Sequence, residues 1–537
     1  MVPCLSDVSL LRSIQLTSPR TIVVVLVLAI VTTIIAAVLL PRTVPATTRG
    51  STVDGPARPA ARTVLRAVGR CTARIVMVSV PVLLVIALGG LLINRPMHYV
   101  RTLGDVVKAA TPRTQVTSRI APLPKASAYD AVPASAWKAS FHDVGDGSQE
   151  ATWTGPVSGI TLPVRVVLPA GYRPDDGRTY NVLVGLHGWV GDPQSLVTGI
   201  ASPQRLQEAI SAGRIPPSIL VFPSLNVDGG QPDCVNIAGR PAVGTWTAEE
   251  IPRMIQATFP NVTTQRAGWM IMGISAGAYC AARTAYDVPE RFGAVGVMSS
   301  YDLPGEGSLA HSGKTLQAQN GLSTMLGKRK PDGMRFYVLG AQDDSSGAAR
   351  AAWLMDDAVR KPDSLTVDTP ASGGHSWTLW NNYFPSLLTW WGSDPAVFKA
   401  AGVTAPQGDT WAKATAAGVK PLSETPKDQR VVGSVSPVRA MPFEINGLGT
   451  IIVAVVASLG ALAAVMFWSP RWGRRRDGGK RSVARLGGAI LGRVVVILVA
   501  AGLVTVTVGI GANAGGGFYT SWNDLRASVR TSGNSGK

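Results

Sequence analysis

The pentapeptide Gly273-Ile274-Ser275-Ala276-Gly277 is the strongest chemical signal in the sequence. A Gly-x-Ser-x-Gly pattern suits a nucleophile elbow, a sharp strand-to-helix turn that exposes a serine hydroxyl. Chance supplies about half a match in a chain of this composition, so the flanking residues must support the motif. They do, because 269–272 is apolar and strand-like and 276–283 is rich in the small residues of a closely packed helix. Ser275 is therefore the predicted nucleophile.

A serine hydroxyl needs a base, and the sequence contains five histidines. In hydrolases with this elbow, the serine, the acid and the histidine follow one another along the chain. His375, within Gly-Gly-His-Ser-Trp, lies beyond Ser275 and the last predicted strand, so it is the predicted base. His187 precedes Ser275 and is expected to support its own loop. The other histidines are expected at the surface: His98, His142 and His311.

The acid should follow a strand between Ser275 and His375. Residues 336–339 are the apolar candidate, and the sequence continues Gly-Ala-Gln-Asp343-Asp344. Asp343 is the predicted acid and Asp344 the alternative, because spacing does not reveal which carboxylate turns towards the histidine. The acid would hold the imidazole tautomer and stabilise the imidazolium ion.

Two backbone N–H groups are expected to form an oxyanion hole. One belongs to Ala276, the residue after the nucleophile, and the other to a loop after an earlier strand. That loop is Leu-His-Gly-Trp-Val-Gly at 186–191, in which Gly188 permits a close backbone approach and Trp189 is the predicted donor. Losing such a donor typically costs about 3–4 kcal/mol of transition-state stabilisation.

These residues need a scaffold of short strands alternating with helices. Several strand candidates are β-branched and apolar on both faces, as in a parallel sheet covered by helices. Helical patterns at 248–258 and 276–286 lie between them, so we expect a doubly wound α/β domain. The candidate strands are 164–168, 182–186, 219–222, 269–272, 294–298, 336–339 and 365–367.

The composition also predicts membrane segments, since 46% of residues are hydrophobic and only 16% are charged. Four long apolar runs can each cross about 30 Å of hydrocarbon as a helix. Soluble core helices rarely contain such uncharged runs. The first run exceeds a signal-peptide core and shows no convincing cleavage site, which favours a retained helix. The runs are 21–40, 75–93, 447–468 and 494–512.

Charge in the connecting loops predicts the orientation. Loop 41–74 has seven arginines and one aspartate, a net of +6, and loop 469–493 has a net of +7, out of +18 for the chain. Positively charged loops stay in the cytoplasm, so segment 94–446 is expected outside the cell. Contact with anionic membrane lipids also fits this charge. A nucleic-acid partner is not expected, because neither loop has interleaved aromatic residues or a binding fold.

The chain therefore divides into an ordered series of membrane and extracytoplasmic segments. In chain order we expect an extracytoplasmic segment at 1–20, a transmembrane helix at 21–40, a basic cytoplasmic loop at 41–74, a transmembrane helix at 75–93, a linker at 94–134, the extracytoplasmic α/β-hydrolase domain at 135–400, a linker at 401–446, a transmembrane helix at 447–468, a basic cytoplasmic loop at 469–493, a transmembrane helix at 494–512 and an extracytoplasmic tail at 513–537.

The segments 275–301, Leu-His-Gly-Trp and Gly-Gly-His-Ser-Trp-Thr-Leu-Trp together resemble the esterase D-like group of α/β-hydrolases. This group includes feruloyl-type esterases and bacterial mycolyltransferases. The resemblance covers about 160–395, with His375, Trp377 and Trp380 as a typical mark. It implies the triad Ser275, Asp343 and His375. The four membrane segments are not part of the group's usual pattern, so its diverse substrates do not transfer to this chain.

Cys234 and Cys280 are the only cysteines of the predicted hydrolase domain. Cysteines outside the cell can oxidise, so we expect a disulfide that ties the loop at Cys234 to the elbow helix. The alternative is a pair of buried thiols. None of the cysteines forms a Cys-x-x-Cys pair, and the sequence predicts no metal or other cofactor.

The predicted function is a membrane-anchored extracytoplasmic serine esterase acting through an acyl-enzyme. An acyltransferase that moves the acyl group to a sugar or lipid hydroxyl is the alternative, because the same triad serves both. A non-catalytic envelope scaffold is disfavoured by the intact Ser, Asp and His candidates. Tethering favours an envelope-associated ester as substrate, and the bias of 38 arginines over 13 lysines fits a bacterial source.

Overall fold

The computed structural model of the chain contains two compact units, one spanning 96–439 and the other built from 14–95 and 440–516. The predicted N-terminal segment, C-terminal tail and central parts of the basic loops and linkers lie largely outside the described residues. The described residues are 14–44, 60–97, 119–189, 191–227, 231, 233–305, 307–430, 442–473 and 483–516, with 102–104, 106, 519, 522, 525 and 526.

The strands of the larger unit lie between residues 120 and 368. In chain order they are β1 Ile120–Ala121, β2 His142–Asp143, β3 Gln149–Thr154, β4 Thr161–Val167, β5 Asn181–Leu186, β6 Ser218–Pro223, β7 Asn236–Ile237, β8 Trp269–Ile274, β9 Ala294–Met298, β10 Arg335–Leu339 and β11 Ser364–Asp368.

Nine of these strands form one sheet in the order β11-β10-β9-β8-β5-β6-β4-β3-β2. From β11 to β6 neighbouring strands are parallel, whereas β4, β3 and β2 extend the sheet in antiparallel pairs. The expected mostly parallel sheet is thus confirmed, and each predicted strand is present. Strands β2 and β3 were not predicted, because their polar residues do not form an apolar run. β1 and β7 pair separately.

Helices lie before, between and after the strands along the chain. They are α1 Pro19–Leu39, α2 Ala60–Met97, α3 Ala126–Asp130, α4 Pro193–Gly199, α5 Ser202–Ser211, α6 Val243–Thr245, α7 Ile251–Thr258, α8 Ala276–Asp287, α9 Gly307–Ala310, α10 Lys314–Gln319, α11 Leu322–Lys328, α12 Ala348–Ala358, α13 Trp377–Gly392, α14 Pro395–Ala400, α15 Thr410–Ala416, α16 Leu448–Ala463 and α17 Val483–Gly516, with π-helical turns at Trp246–Glu250 and Ala464–Trp468 and 3-10 turns at Leu40–Thr43, Ala134–Trp137, Arg266–Gly268, Lys427–Gln429 and Ser469–Arg471.

Alternate side chains of the central strands enter two separate cores. In β8, Ile271 packs into the core that contains helices α7, α8, α11 and α12, while Met270 and Met272 pack against α4, α5 and α13. Because successive side chains of a strand point to opposite faces, a strand with two covered faces must be apolar throughout. This is why β8 reads as a continuous apolar run, and it leaves the ends of the parallel strands as the place for polar residues.

The smaller unit contains four helices that are long and apolar enough to cross a membrane. Large apolar side chains on their outer surfaces are exposed, for example Leu83 at 62% and Leu459 at 61%. Exposed apolar surface on this scale is unfavourable in water but suits hydrocarbon. These features indicate membrane association. The spans are Pro19–Thr43, Ala67–Arg95, Leu448–Arg471 and Val483–Ala514.

Two arginines bind main-chain carbonyls at one end of this helical unit. Arg493 of α17 donates from Nε to the Ala37 carbonyl at 2.6 Å and from Nη1 to the Trp472 carbonyl at 2.8 Å. Arg74 of α2 donates from Nη2 to the Thr43 carbonyl at 3.0 Å. The last carbonyls of a helix have no partner within it, so cations here satisfy them and complement the helix dipole.

Residues 418–430, which we name the edge segment, are bonded to the sheet although the sequence predicted a linker from residue 401. The Ser423 N–H donates to Asp368 Oδ1 at 3.0 Å, at the end of β11. The Thr425 N–H donates to Thr369 Oγ1 at 3.1 Å. The bonded part of the domain therefore continues past residue 400 into the edge segment.

The Asp368 carboxyl group is buried between the sheet and the edge segment. Burial raises its pKa to about 6, although hydrogen bonds from the Tyr337 hydroxyl and the Ser423 N–H act in the opposite direction. The Tyr337 bond is 2.7 Å long. The folded state therefore holds the Asp368 proton more tightly than the unfolded state does.

This raised pKa predicts that Asp368 reduces stability at neutral pH. Between roughly pH 4 and pH 6 the folded state binds more protons than the unfolded state, so stability falls as the pH rises. Asp368→Asn removes this cost, and its amide oxygen can still accept one hydrogen bond. We expect it to raise the free energy of unfolding by about 1–3 kcal/mol at pH 8 and to lose this advantage at pH 4.5.

Denaturant titration of the detergent-solubilised chain, followed by tryptophan fluorescence, measures this difference. Asp363→Asn is the matched control. Burial acts to raise the Asp363 pKa, but Arg329 and main-chain N–H groups outweigh it and lower that pKa. The control should therefore lose stability at pH 8. A pH 8 stability for Asp368→Asn equal to or below wild type would contradict the prediction.

Candidate active site

Ser275 occupies the sharp turn between β8 and α8. Its backbone has φ 58° and ψ −123°, a sparsely populated conformation for a residue with a side chain. The Ser275 N–H donates to the Met298 carbonyl of the neighbouring strand at 2.9 Å. The end of β9 therefore helps to hold the turn, as a nucleophile elbow requires.

Close backbone contacts explain both glycines of the pentapeptide. A Cβ at Gly273 would lie 2.0 Å from the Gly277 carbonyl oxygen. A Cβ at Gly277 would lie 2.1 Å from the Leu186 carbonyl oxygen at the end of β5. Any side chain at either position would push helix α8 away from the strands, so the turn can close only with glycine there.

The structure brings His375 to the elbow. Its Nε2 atom lies 2.9 Å from Ser275 Oγ, and its Nδ1 atom lies 3.0 Å from Asp344 Oδ2 and 3.2 Å from Asp344 Oδ1. Ser275, His375 and Asp344 thus form a continuous chain of contacts. They come from the ends of β8, the loop after β11 and the loop after β10, which the parallel sheet places at one edge.

The aspartate beside His375 is Asp344, whereas the sequence favoured Asp343 and kept Asp344 as the alternative. The loop after β10 forms a tight turn in which the Asp344 N–H donates to the Ala341 carbonyl at 3.1 Å. Asp344 Oδ1 also accepts from the Ser346 N–H at 2.8 Å and from its hydroxyl at 2.7 Å. This turn geometry selects between the two carboxylates, and it is not encoded in their spacing.

Asp344 is buried, and burial by itself would raise its pKa. The charge and hydrogen bonds of His375, together with the hydrogen bonds from Ser346, outweigh burial and hold the pKa of Asp344 below its usual value. An ionised carboxylate only accepts hydrogen bonds, so His375 Nδ1 carries the hydrogen. In a neutral imidazole Nε2 is then the acceptor for the Ser275 hydroxyl.

The Asp343 side chain supports the histidine loop by binding main-chain N–H groups of that loop. Its Oδ2 atom accepts from the Gly373 N–H at 3.2 Å and its Oδ1 atom from the Gly374 N–H at 2.8 Å. These glycines have φ values of 148° and 58°, in the left-handed region that favours glycine. The adjacent aspartates therefore act on one loop, Asp343 on its backbone and Asp344 on the His375 ring.

The predicted oxyanion loop lies beside Ser275, the predicted nucleophile. A Cβ at Gly188 would lie 3.2 Å from Ser275 Cβ, so the backbone between His187 and Trp189 passes close to the serine. Ala276 begins α8, where the first N–H groups have no acceptor within the helix. Both predicted donors therefore belong to segments that adjoin Ser275.

His187 fixes the shape of this loop. Its buried Nε2 atom accepts from the Leu225 N–H at 2.9 Å, so the neutral ring carries its hydrogen on Nδ1. Nδ1 lies 2.9 Å from the Gly188 carbonyl oxygen and donates to it. In a trans peptide the N–H points opposite to the carbonyl, so this bond sets the direction of the Trp189 N–H.

Comparisons with known proteins match the segment that contains these residues. Residues 158–390 match a family model described as "Putative esterase". This segment is a hydrolase domain of the esterase family. It contains Ser275, His375 and both aspartates, whereas β1 to β3 and the edge segment lie outside the match. No curated protein matches the chain.

Several solved structures are similar to the esterase domain. An S-formylglutathione hydrolase from Agrobacterium tumefaciens is 15% identical, covers 47% of this chain and 97% of its own, and has a TM-score of 0.39. FphF, a fluorophosphonate-binding serine hydrolase from Staphylococcus aureus, is 15% identical, covers 47% of this chain and 98% of its own, and has a TM-score of 0.37. A ferulic acid esterase from Anaeromyces mucronatus is 19% identical, covers 45% of this chain and 89% of its own, and has a TM-score of 0.34.

The expected disulfide is present in the esterase domain. Cys234 and Cys280 are bonded, with Cα atoms 5.2 Å apart, and both are buried. The bond ties the loop before β7 to α8, the helix that begins at the elbow. Asp233 also holds this loop, since its carboxylate accepts from the Ser308 N–H at 2.8 Å.

Other predicted or candidate groups lie away from these contacts. His142 is exposed in β2 and His311 is exposed with Nδ1 2.6 Å from the Gly307 carbonyl oxygen, while His98 lies outside the described residues. Within the described part of the chain, no group of three or more His, Cys, Asp and Glu side chains is placed to hold a metal ion.

Proposed function

We propose that the esterase domain hydrolyses a carboxylic ester with Ser275 as nucleophile, His375 as general base and Asp344 as the acid of the triad. The chain of contacts from Asp344 through His375 to Ser275 carries this proposal. Its support is independent of the family match, because it rests on the tautomer and distances of these groups. The acid assigned here is the alternative left open by the sequence.

In the proposed reaction the Ser275 hydroxyl attacks the ester carbonyl and gives its proton to His375 Nε2. Asp344 stabilises the imidazolium that forms. The N–H groups of Trp189 and Ala276 are the proposed donors to the developing oxyanion. His375 then protonates the departing alcohol, leaving an acyl group on Ser275. Water, activated by the same histidine, hydrolyses this acyl-enzyme.

The substrate is proposed to be an ester of a membrane lipid or another cell-envelope component. The four membrane-type helices support this, because tethering raises the effective concentration of a membrane-borne substrate. An acyl group transferred to a second alcohol rather than to water would appear as a new ester among the products.

The first prediction tests the nucleophile. Wild-type protein should react covalently with a fluorophosphonate probe and hydrolyse p-nitrophenyl esters, whereas Ser275→Ala should lose labelling and at least about 10³-fold of kcat. Ser300→Ala, a change at another buried serine near a strand end, is the matched control and should keep labelling. Ester lipids that accumulate in cells carrying Ser275→Ala would identify the substrate class.

Labelling that persists in Ser275→Ala would overturn the proposed nucleophile. If Ser275→Ala loses labelling but the lipid extracts of the cells do not change, the proposed triad stands and the proposed lipid substrate is rejected.

The second prediction separates the two aspartates. Asp344→Asn should lower kcat by about 10⁴-fold, because an amide favours the wrong imidazole tautomer. Asp343→Asn keeps an oxygen for one of the two glycine N–H groups, so we expect a loss of about tenfold. Steady-state kinetics with p-nitrophenyl acetate measure both variants. A larger kcat loss for Asp343→Asn than for Asp344→Asn would reverse the assignment.

We also propose that the esterase domain lies outside the cytoplasm, anchored by four transmembrane helices. The net charges of +6 and +7 in loops 41–74 and 469–493 support this orientation. The Cys234–Cys280 disulfide supports it independently, because disulfides persist in oxidising compartments.

Cysteine labelling of intact cells tests this orientation. Lys399 is exposed on the esterase domain, and Cys71 is exposed within the first basic loop, 41–74. In a Cys4→Ala background, a membrane-impermeant maleimide should label Lys399→Cys in intact cells, and Cys71 only after permeabilisation. Labelling of Cys71 in intact cells, or protection of Lys399→Cys, would refute the proposed topology.

A further inference from the structure

Four described residues other than glycine have a positive φ. Ser275 is the elbow, Cys234 belongs to the disulfide, and Ala201 precedes α5. The fourth is Ser299, with φ 55°, immediately after β9. A side chain in this conformation is strained and normally gives way to glycine. Strain that persists next to a reactive centre points to a function for the side chain involved.

Ser299 lies between the nucleophile and the acid loop. The residue before it, Met298, accepts the Ser275 N–H, and the Ser299 N–H donates to the carbonyl of Leu339, the last residue of β10. The side chain is fully buried. Its backbone is thus held between the strand ends that carry the elbow and the two aspartates.

The Ser299 hydroxyl has a specific partner. Its Oγ atom accepts from the indole Nε1 of Trp380 at 3.0 Å, in the first turn of α13. A buried tryptophan N–H needs an acceptor, and the main chain around Trp380 is already used by the helix. Glycine at position 299 would relieve the strain but would leave this N–H without its partner.

Trp380 in turn contacts the proposed base. Its ring lies perpendicular to the His375 ring, with the centroids 5.1 Å apart and an interplanar angle of 88°. The imidazole can turn about its Cβ–Cγ bond, and Asp344 restrains it at one nitrogen only. The indole packs against the ring and limits this rotation, and the Ser299 hydroxyl holds the indole N–H.

We propose that Ser299 is a positioning residue for catalysis, acting through Trp380 on the His375 ring. This inference rests on the proposed function of the triad. The strained backbone directs the Ser299 hydroxyl to the indole N–H, the indole fixes the imidazole plane, and Nε2 stays aligned with the Ser275 hydroxyl. A side chain that only filled space would not need the hydroxyl.

The test separates the strain from the hydroxyl by comparing two variants. Ser299→Gly and Ser299→Ala both remove the acceptor of the Trp380 N–H, so kcat should fall about five- to tenfold in each, with little change in KM. Only glycine relieves the strained φ, so Ser299→Gly should have the higher Tm of the two. Ala201→Gly relieves a similar strain at the start of α5 and should leave kcat unchanged.

Coupling between the two side chains is measured by a double-mutant cycle in the full-length, detergent-solubilised protein. Trp380→Phe keeps an aromatic ring but has no N–H, so Ser299→Ala should cost nothing further in that background. Independent, multiplicative losses would overturn the inference, as would unchanged kcat in both Ser299 variants. These outcomes apply only to activity that Ser275→Ala abolishes. If the activity persists in Ser275→Ala, the proposed function is rejected instead.

Discussion

The site depends on one constraint: there is no space for a side chain at Gly273 or Gly277. Because glycine has none, helix α8 starts directly against the ends of β8 and β5, closer than any other residue type would permit. The same approach places Ser275 in its strained turn and brings the loop after β5 alongside it. The positions of the proposed nucleophile and of the proposed oxyanion donors therefore follow from one backbone contact.

Around this contact, the proposed reactive side chains are held by hydrogen bonds that involve main-chain groups and cross from one strand end to the next. The carbonyl of Met298 accepts from the elbow, and the Asp343 carboxylate accepts from the two glycines before His375. Such bonds have little freedom, because their residues lie in strands of the sheet or shortly after them. Precision in a site built from loops thus comes from the rigid sheet beneath it.

The sequence predicted the elements and residue types of this site but not the details of its turns. Apolar runs specify the parallel strands, since a strand covered on both faces must be apolar, and chain order leaves His375 as the base. Neither rule separates Asp343 from Asp344, because a turn of a few residues decides which carboxylate faces the ring. Nothing in the sequence marks Ser299, whose unusual backbone appears only when the neighbouring strands are in place.

The edge segment, 418–430, affects the order in which the molecule can be completed. Synthesis proceeds from the N-terminus, so the strands carrying Ser275 and the two aspartates emerge before the segment that covers Asp368. The next residues lead towards α16, one of the helices that are long and apolar enough to cross a membrane. The β11 edge of the sheet is therefore covered only after all the strands that carry the site have been synthesised, and the segment that covers it is made just before the apolar helix α16.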